Sequence, residues 1–92
     1  MVGSRPSVWF EREILPDRRA DVAARAIILG PASATPDEPY RSLPNAVGIV
    51  ASQHVYTGEL MDLAPGLKVI ARTGIGYDKV DISAATERGI AV

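Results

Sequence analysis

Short apolar runs recur along the chain and alternate with more polar segments that favour helix. Continuous apolar runs bounded by turn residues are typical of strands that are buried on both faces of a sheet. Five runs predict strands, at residues 7–10, 26–29, 46–51, 67–71 and 90–92. Three intervening segments predict helices, at residues 17–25, 57–63 and 82–88.

The predicted helices carry signals at their ends. Thr57 and Asp81 are placed as N-caps, because their side-chain oxygens can accept hydrogen bonds from the free N–H groups of a first turn. Gly89 is placed as the residue that ends the last helix in a left-handed conformation. The middle helix is expected to offer three residues for packing: Leu60, Met61 and Leu63.

A proline-rich stretch interrupts this alternation between residues 31 and 45. It contains four prolines and several small polar residues. Proline lacks a backbone donor and disfavours regular structure in the interior of an element. The stretch is therefore predicted to be mostly loop, with one helical turn at residues 39–43.

Strands that alternate with helices through short connections predict an α/β fold with a parallel sheet and helices on both faces. The length of 92 residues suits one domain or part of one, and 47% hydrophobic residues suffice for a core. The last predicted strand has three residues and follows a capped helix. We expect the natural protein to continue beyond it; the alternative is a small complete domain with a short edge strand.

Composition excludes several classes of protein. The formal net charge is −1, which argues against a nucleic-acid groove or a polybasic membrane patch. The absence of cysteine excludes disulfides and thiolate metal sites. No apolar run approaches the ~20 residues that span a bilayer, and the N-terminus lacks the apolar core of a signal peptide. We expect a cytoplasmic protein without metal, nucleic-acid or membrane partners.

Two glycines follow the strand at residues 67–71, in the stretch RTGIGYD. Gly74 and Gly76 match the first two positions of the dinucleotide fingerprint G-x-G-x-x-G. The third position falls on Lys79, where glycine would be needed for close packing of helix on strand. The fingerprint also requires an acidic residue about 20 positions further on, and the chain ends first. The pattern therefore argues against a nucleotide loop.

Two interpretations of the glycine stretch remain. Glycines on both sides of Ile75 allow left-handed or open backbone conformations, in which successive N–H groups can converge on an anion. Such a site would lie at the carboxyl end of a parallel strand, where open α/β sheets bind ligands. The other interpretation is a tight turn whose glycines only satisfy backbone geometry.

Other polar residues at this edge of the sheet have competing interpretations. Ser52 follows the strand at residues 46–51 and can hydrogen-bond a bound oxyanion, or it can be a turn serine. His54 has no visible acid partner, which favours a surface histidine over a catalytic one. Asp78 and Asp81 are three residues apart, but capping is the better interpretation of both.

The C-terminal half carries a longer pattern, LKVIARTGIGYDKVDISAATERGIAV. Together with the residues before it, from about residue 43, it resembles the N-terminal half of the D-isomer-specific 2-hydroxyacid dehydrogenases, which include D-3-phosphoglycerate dehydrogenases and hydroxypyruvate or glyoxylate reductases. The resemblance implies that residues 1–92 form a flavodoxin-like substrate domain, truncated at its C-terminal end. The separate Rossmann domain that binds the cofactor in this family is absent from the chain.

The resemblance also implies roles for particular residues. The backbone amides of Ile75 and Gly76, in the turn that Gly74 begins, would hold a substrate carboxylate, and Ser52 would lie beside the pocket. The family's acid–base histidine, its carboxylate partner and its arginine belong to the following domain, which also binds most of the NAD or NADP. His54 does not match that histidine, so no catalytic residue is expected here.

The expected function is hydride transfer between nicotinamide and C2 of a small 2-hydroxy or 2-keto acid, in a full-length homodimer. The 92 residues alone are expected to be inactive. Many phosphoglycerate-type members have arginine where this chain has Ala51, which weakens a phosphoglycerate assignment. A different class of function also stays open, namely a stand-alone flavodoxin-like module that binds an anion or a protein without catalysis.

Overall fold

Four parallel strands form the centre of the molecule in a computed structural model that describes residues 5–12, 14–32, 40–52, 55–72 and 80–92. The strands are β1 (Ser7–Phe10), β2 (Ile27–Leu29), β3 (Gly48–Ala51) and β4 (Val69–Arg72). Their order in the sheet is β2-β1-β3-β4, and each neighbouring pair is parallel. The predicted parallel α/β architecture is confirmed.

The described residues contain three helices, of which the first joins β1 to β2, the second joins β3 to β4 and the third follows β4. They are α1 (Pro16–Arg25), α2 (Gly58–Asp62) and α3 (Ile82–Glu87), and 3-10 turns lie at Gly30–Ala32 and Leu43–Asn45. Parallel strands joined by helices take right-handed crossovers, so α1 lies on the face of the sheet opposite to α2 and α3. None of the helices in the described parts of the chain combines the length and apolar character needed to cross a membrane.

The strand order is that of a doubly wound, flavodoxin-like sheet. The chain first adds β2 on one side of β1 and then adds β3 and β4 on the other. A single parallel bridge from Ala91 to Val69 continues the order beyond β4. The order reverses between β1 and β3, and in open α/β sheets ligands bind at the carboxyl ends of the strands near this reversal.

The core fills one face of the sheet. Trp9 lies between Leu29 and Ile49 in register, and Ile49 pairs in turn with Ile70. Trp9, Ile49 and Ile70 are at most 2% exposed. Residues of α2 and α3 pack against this row, including the buried Met61 and Ala85. Alternation of side chains along a strand sends every second residue to this face, which is why short apolar runs suffice to build the core.

Side chains cap two helices as predicted. The Thr57 hydroxyl accepts a hydrogen bond from the Leu60 N–H at 3.2 Å. The Asp81 carboxylate accepts one from the Ala84 N–H at 3.0 Å. Gly89 ends α3 with a φ of 71°, a conformation that glycine adopts without steric cost.

Several predicted boundaries are wrong by a few residues. The helical turn expected at residues 39–43 is present in its described part, where the Leu43 N–H donates to the Tyr40 carbonyl at 3.2 Å. A 3-10 turn at Leu43–Asn45 extends it, because Pro44 is tolerated inside a first turn, where its missing N–H has no partner to lose. Leu63, expected to pack, is 46% exposed because it follows α2 as the C-cap residue. The strand predicted at residues 90–92 is reduced, in the described residues, to the single bridge at Ala91.

An exposed ion pair joins α2 to the end of α3. The Arg88 guanidinium donates to Asp62 at 2.8 Å and to the Ala84 carbonyl at 3.0 Å. The hydrogen bond from Arg88 lowers the pKa of the Asp62 carboxyl below its ordinary value. Solvent screens such pairs, so this one contributes little to stability.

Candidate functional site

The carboxyl ends of the three central parallel strands lie at one edge of the sheet. Phe10 at the end of β1 pairs with Val50, and Ala51 at the end of β3 pairs with Arg72 at the end of β4. The residues that leave these strands therefore emerge side by side. This carboxyl edge is where a doubly wound sheet receives a ligand.

Ser52 is the one predicted site residue that the structure describes. It is half-buried and directly follows β3. Its backbone N–H donates a hydrogen bond of 2.7 Å to the Glu11 carboxylate. The other predicted site residues, Gly74, Ile75 and Gly76, lie outside the described residues, and so do the predictions made for His54, Asp78 and Lys79.

Glu11 is a polar residue of this edge that sequence reasoning missed. It directly follows β1, and its backbone N–H donates to the Val50 carbonyl at 3.1 Å, which continues the β1–β3 pairing by one step. The same carboxylate oxygen, Oε1, accepts the Ser52 N–H and, at 2.8 Å, the Tyr56 hydroxyl. The available signal was an acidic side chain immediately after an apolar strand.

Tyr56 is the buried member of this hydrogen-bond network. Its ring is 1% exposed. Burial raises the pKa of the Tyr56 phenol well above its ordinary value, and the hydrogen bond to Glu11 and the negative charge of Glu11 raise it further. The phenol therefore stays protonated and acts as a donor.

The backbone of Tyr56 makes a second connection. Tyr56 forms a parallel bridge with Val80, and its carbonyl accepts the Asp81 N–H at 2.9 Å. Arg72 and Val80 are the described residues on either side of the glycine stretch. One side of that stretch is thus fixed by β4 and the other by Tyr56.

The described acidic residues offer no metal centre. No group of three or more His, Cys, Asp or Glu side chains that could hold a metal ion occurs in the parts of the chain that the structure describes. Asp81 is engaged as the N-cap of α3, as the sequence predicts. Among the residues that the structure describes, the carboxyl edge therefore offers hydrogen-bond donors, the Glu11 carboxylate and the Arg72 guanidinium at the end of β4.

The fold and the carboxyl edge together define a class of protein domain. A parallel sheet with doubly wound order, and polar groups gathered at the carboxyl ends of its central strands, is the architecture of an α/β ligand-binding domain. Its elements follow the order expected of a substrate domain in the family that the sequence resembles.

Comparison with known proteins identifies the family. Residues 11–92 match the family model described as D-isomer specific 2-hydroxyacid dehydrogenase, catalytic domain. The chain therefore belongs to this family. The match covers most of the chain, including the proline-rich stretch and the β1–β3 connection, where the resemblance in the sequence itself is loose.

Individual relatives agree with this assignment. The chain is 44% identical over 57 residues to D-3-phosphoglycerate dehydrogenase of Archaeoglobus fulgidus, a match that covers 61% of this chain and 11% of that protein. It is 34% identical over 83 residues to glyoxylate reductase of Thermococcus gammatolerans, covering 90% of this chain and 21% of that protein. The chain thus spans a minor part of the relatives it matches.

A solved structure supports the fold. The NADPH-dependent glyoxylate/hydroxypyruvate reductase of Sinorhizobium meliloti, determined in complex with citrate, superposes with a TM-score of 0.69 at 30% identity. The superposition covers 95% of this chain and 27% of that enzyme. The flavodoxin-like class predicted from the sequence is therefore confirmed.

Proposed function

We propose that these 92 residues are the substrate-binding domain of an NAD(P)-dependent D-2-hydroxyacid dehydrogenase. The whole enzyme would transfer a hydride between nicotinamide and C2 of a small 2-hydroxy or 2-keto acid. The observation that carries this proposal is the match of residues 11–92 to the catalytic-domain model of the family. The full-length protein is proposed to act as a homodimer.

The proposed substrate site is the carboxyl edge. The backbone N–H groups of Ile75 and Gly76 would hold the substrate carboxylate in the turn that begins at Gly74, and Ser52 would lie beside it. Support comes from the flanks of that turn, because β4 ends at Arg72 and Val80 pairs with Tyr56. Backbone donors fixed in this way would contribute positioning and electrostatic stabilisation.

The residues of this chain do not fit the dinucleotide cofactor. In a doubly wound fold the pyrophosphate lies after the first strand, over a glycine-rich turn at the start of a helix. Here β1 is followed by Glu11, whose carboxylate would repel a pyrophosphate, and no glycine occurs between β1 and α1. Nicotinamide supplies the hydride chemistry when bound, and we assign its binding mainly to a domain outside these residues.

The contribution of this domain is therefore to bind and orient the acid. Fixing the carboxylate at the sheet edge would direct C2 away from the sheet, toward the domain that carries the cofactor. Oriented binding of this kind lowers the barrier by removing translational and rotational freedom before the reaction. The domain supplies no acid–base group in this proposal, so the isolated chain is expected to be inactive.

Ala51 and Glu11, which both adjoin Ser52, favour acids without a second anionic group at that position. Ala51, the residue before Ser52, is 2% exposed and belongs to the core, so it offers no positive charge. The negatively charged Glu11 carboxylate lies next to the Ser52 backbone N–H, 2.7 Å from its nitrogen. A phosphate beside Ser52 would lack a partner in these two residues and would be repelled by one of them.

A kinetic comparison tests this proposal. The full-length gene product is assayed with glyoxylate, hydroxypyruvate and 3-phosphohydroxypyruvate, each with NADH and NADPH. We expect kcat/KM for hydroxypyruvate to exceed that for the phosphorylated acid by at least about tenfold, since a hydrogen bond to a charged group is worth ~1.5–3 kcal/mol.

The 92-residue chain serves as the control and should show no turnover. Oxidation of NADH with glyoxylate by this chain alone would contradict the assignment of acid binding and cofactor binding to two different domains. A full-length protein without activity on any 2-keto acid, or a stop codon directly after the codon for Val92, would favour the non-catalytic flavodoxin-like module instead.

A further inference from the structure

A single carboxylate oxygen accepts hydrogen bonds from two residues that follow β3. Glu11 Oε1 accepts the Ser52 N–H at 2.7 Å and the Tyr56 hydroxyl at 2.8 Å. Ser52 and Tyr56 lie on either side of a three-residue segment, so one acceptor fixes both sides of it. The two bonds span 41 and 45 residues of sequence, so Glu11 joins Ser52 and Tyr56 to the end of β1 by tertiary contacts.

The position of Glu11 is itself well fixed. Its backbone N–H donates to the Val50 carbonyl, so the residue continues the register of β1 on β3. A carboxylate that accepts two hydrogen bonds at the margin of the core is a stronger acceptor than a neutral group, because charge-assisted bonds are shorter and stronger. The sheet thus determines where the carboxylate lies, and the carboxylate determines where Ser52 lies.

The contacts of Tyr56 extend these interactions to the start of α3. The phenol is buried and protonated, and its backbone pairs with Val80 and accepts the Asp81 N–H. Asp81 in turn caps α3. A displacement of Tyr56 would therefore also displace Val80 and the start of α3.

We propose that Glu11 is a positioning residue of the substrate-binding edge, which acts through the Ser52 backbone and the Tyr56 hydroxyl. This inference rests on the proposed function, because it takes Ser52 as a residue beside the substrate carboxylate. Glu11 does not contact the reacting atoms in this assignment. It sets the position of Ser52, which would lie beside the substrate carboxylate.

Steady-state kinetics of full-length variants test the proposal. Glu11→Ala removes the acceptor and is expected to raise KM for glyoxylate by about tenfold, with kcat within about threefold and KM for the nicotinamide cofactor unchanged. Tyr56→Phe keeps the buried ring but removes one donor, so a rise of about threefold is expected. Glu11→Gln keeps an acceptor oxygen of the same reach and should restore KM to within about twofold of wild type.

Glu87→Gln is the matched control, because it makes the same carboxylate-to-amide change at an exposed position on α3. It should leave every parameter unchanged. A lower melting temperature and lower active fraction in Glu11→Ala, with KM for glyoxylate unaltered, would show a purely structural role and overturn the proposal. A Glu11→Gln enzyme as impaired as Glu11→Ala would overturn it too.

A measurement without catalysis separates this inference from the proposed function. In 15N spectra of the 92-residue chain, Glu11→Ala should shift the amide resonances of Ser52, Val80 and Asp81, whereas Glu87→Gln should not shift them. A wild-type enzyme inactive on all acids would disprove the proposed function. The amide shifts would still show whether Glu11 positions Ser52 and the residues bonded to Tyr56. Shifts confined to Ser52 in an otherwise active enzyme would overturn the inference alone.

Discussion

Gly30 shows how a single residue can be fixed by its neighbours rather than by its own segment. It follows β2 with a φ of 81°. A Cβ atom at this position would lie 2.7 Å from the indole nitrogen of Trp9. Trp9 is 2% exposed and also stacks on Tyr40 at a centroid distance of 6.2 Å, so its ring has little freedom to withdraw.

Replacing Gly30 with alanine should therefore destabilise the domain strongly. The substitution adds strain at a positive φ and a clash with a buried ring, and we expect a loss of about 2–4 kcal/mol in the free energy of unfolding. Urea denaturation followed by Trp9 fluorescence measures it.

Gly66→Ala is the matched control, since the atom nearest to a Cβ at Gly66 is the Ala46 carbonyl oxygen at an ordinary 3.8 Å. It should change stability by less than about 1 kcal/mol. Equal effects of the two substitutions would show that the contact with Trp9 does not matter.

The same contrast between local and tertiary signals applies to the candidate site. Ser52 could be selected from the sequence because it directly follows an apolar strand. Glu11 follows a strand in the same way, but its role depends on hydrogen bonds to residues more than 40 positions away. No local pattern encodes that pairing, because it arises from the adjacency of β1 and β3.

At the scale of elements, the ends of helices were the most predictable features. Caps depend on interactions within three or four residues, which a sequence displays directly. The ends of strands were less predictable, because pairing with a neighbour decides where a strand begins. The apolar run at residues 46–51 becomes strand only at Gly48, although the Val47 N–H already donates to the Ser7 carbonyl at 2.9 Å. The run at residues 67–71 is displaced to Val69–Arg72.

The cap of α3 gives a prediction at this scale. Asp81→Ala removes the acceptor for the Ala84 N–H and should lower the free energy of unfolding by about 1 kcal/mol. Asp81→Ser keeps a capping oxygen and should cost only a few tenths of a kcal/mol. Chemical denaturation of both variants checks this, and a serine variant no more stable than the alanine variant would contradict it.

At the scale of the whole molecule, the two faces of the sheet differ. The core covers the face that includes Trp9 and Ile49. On the other face, which we call the outer sheet face, Val8, Gly48 and Val69 lie in register, followed by Phe10, Val50 and Ala71. Gly48 is buried, and Val8, Phe10 and Val50 are half-buried. Val69 is 45% exposed and Ala71 is exposed as well, so the exposed apolar part of this face lies on β4. Apolar surface of this kind favours association.

We therefore predict that the 92-residue chain self-associates through the outer sheet face as its concentration rises. Val69→Thr keeps the strand-compatible branched shape and replaces a methyl with a hydroxyl, so it should weaken association by about fivefold in Kd. Light scattering coupled to gel filtration measures this.

Ile82→Thr is the control, because Ile82 is similarly exposed but lies at the start of α3. It should leave the association unchanged. A monomeric mass at all concentrations would contradict the prediction.

The sequence by itself determined the α/β class, the parallel sheet, the helix caps and the family, because these follow from local periodicity, local hydrogen bonding and a long contiguous motif. Tertiary structure decided where the strands pair, which face of the sheet is filled, and that Glu11 joins Ser52 to Tyr56 at the carboxyl edge. The physical reason is the separation along the sequence of the residues that interact. A cap or an apolar run is complete within a few residues, whereas a carboxylate finds its donors only after three separate segments have been brought to one edge of the sheet.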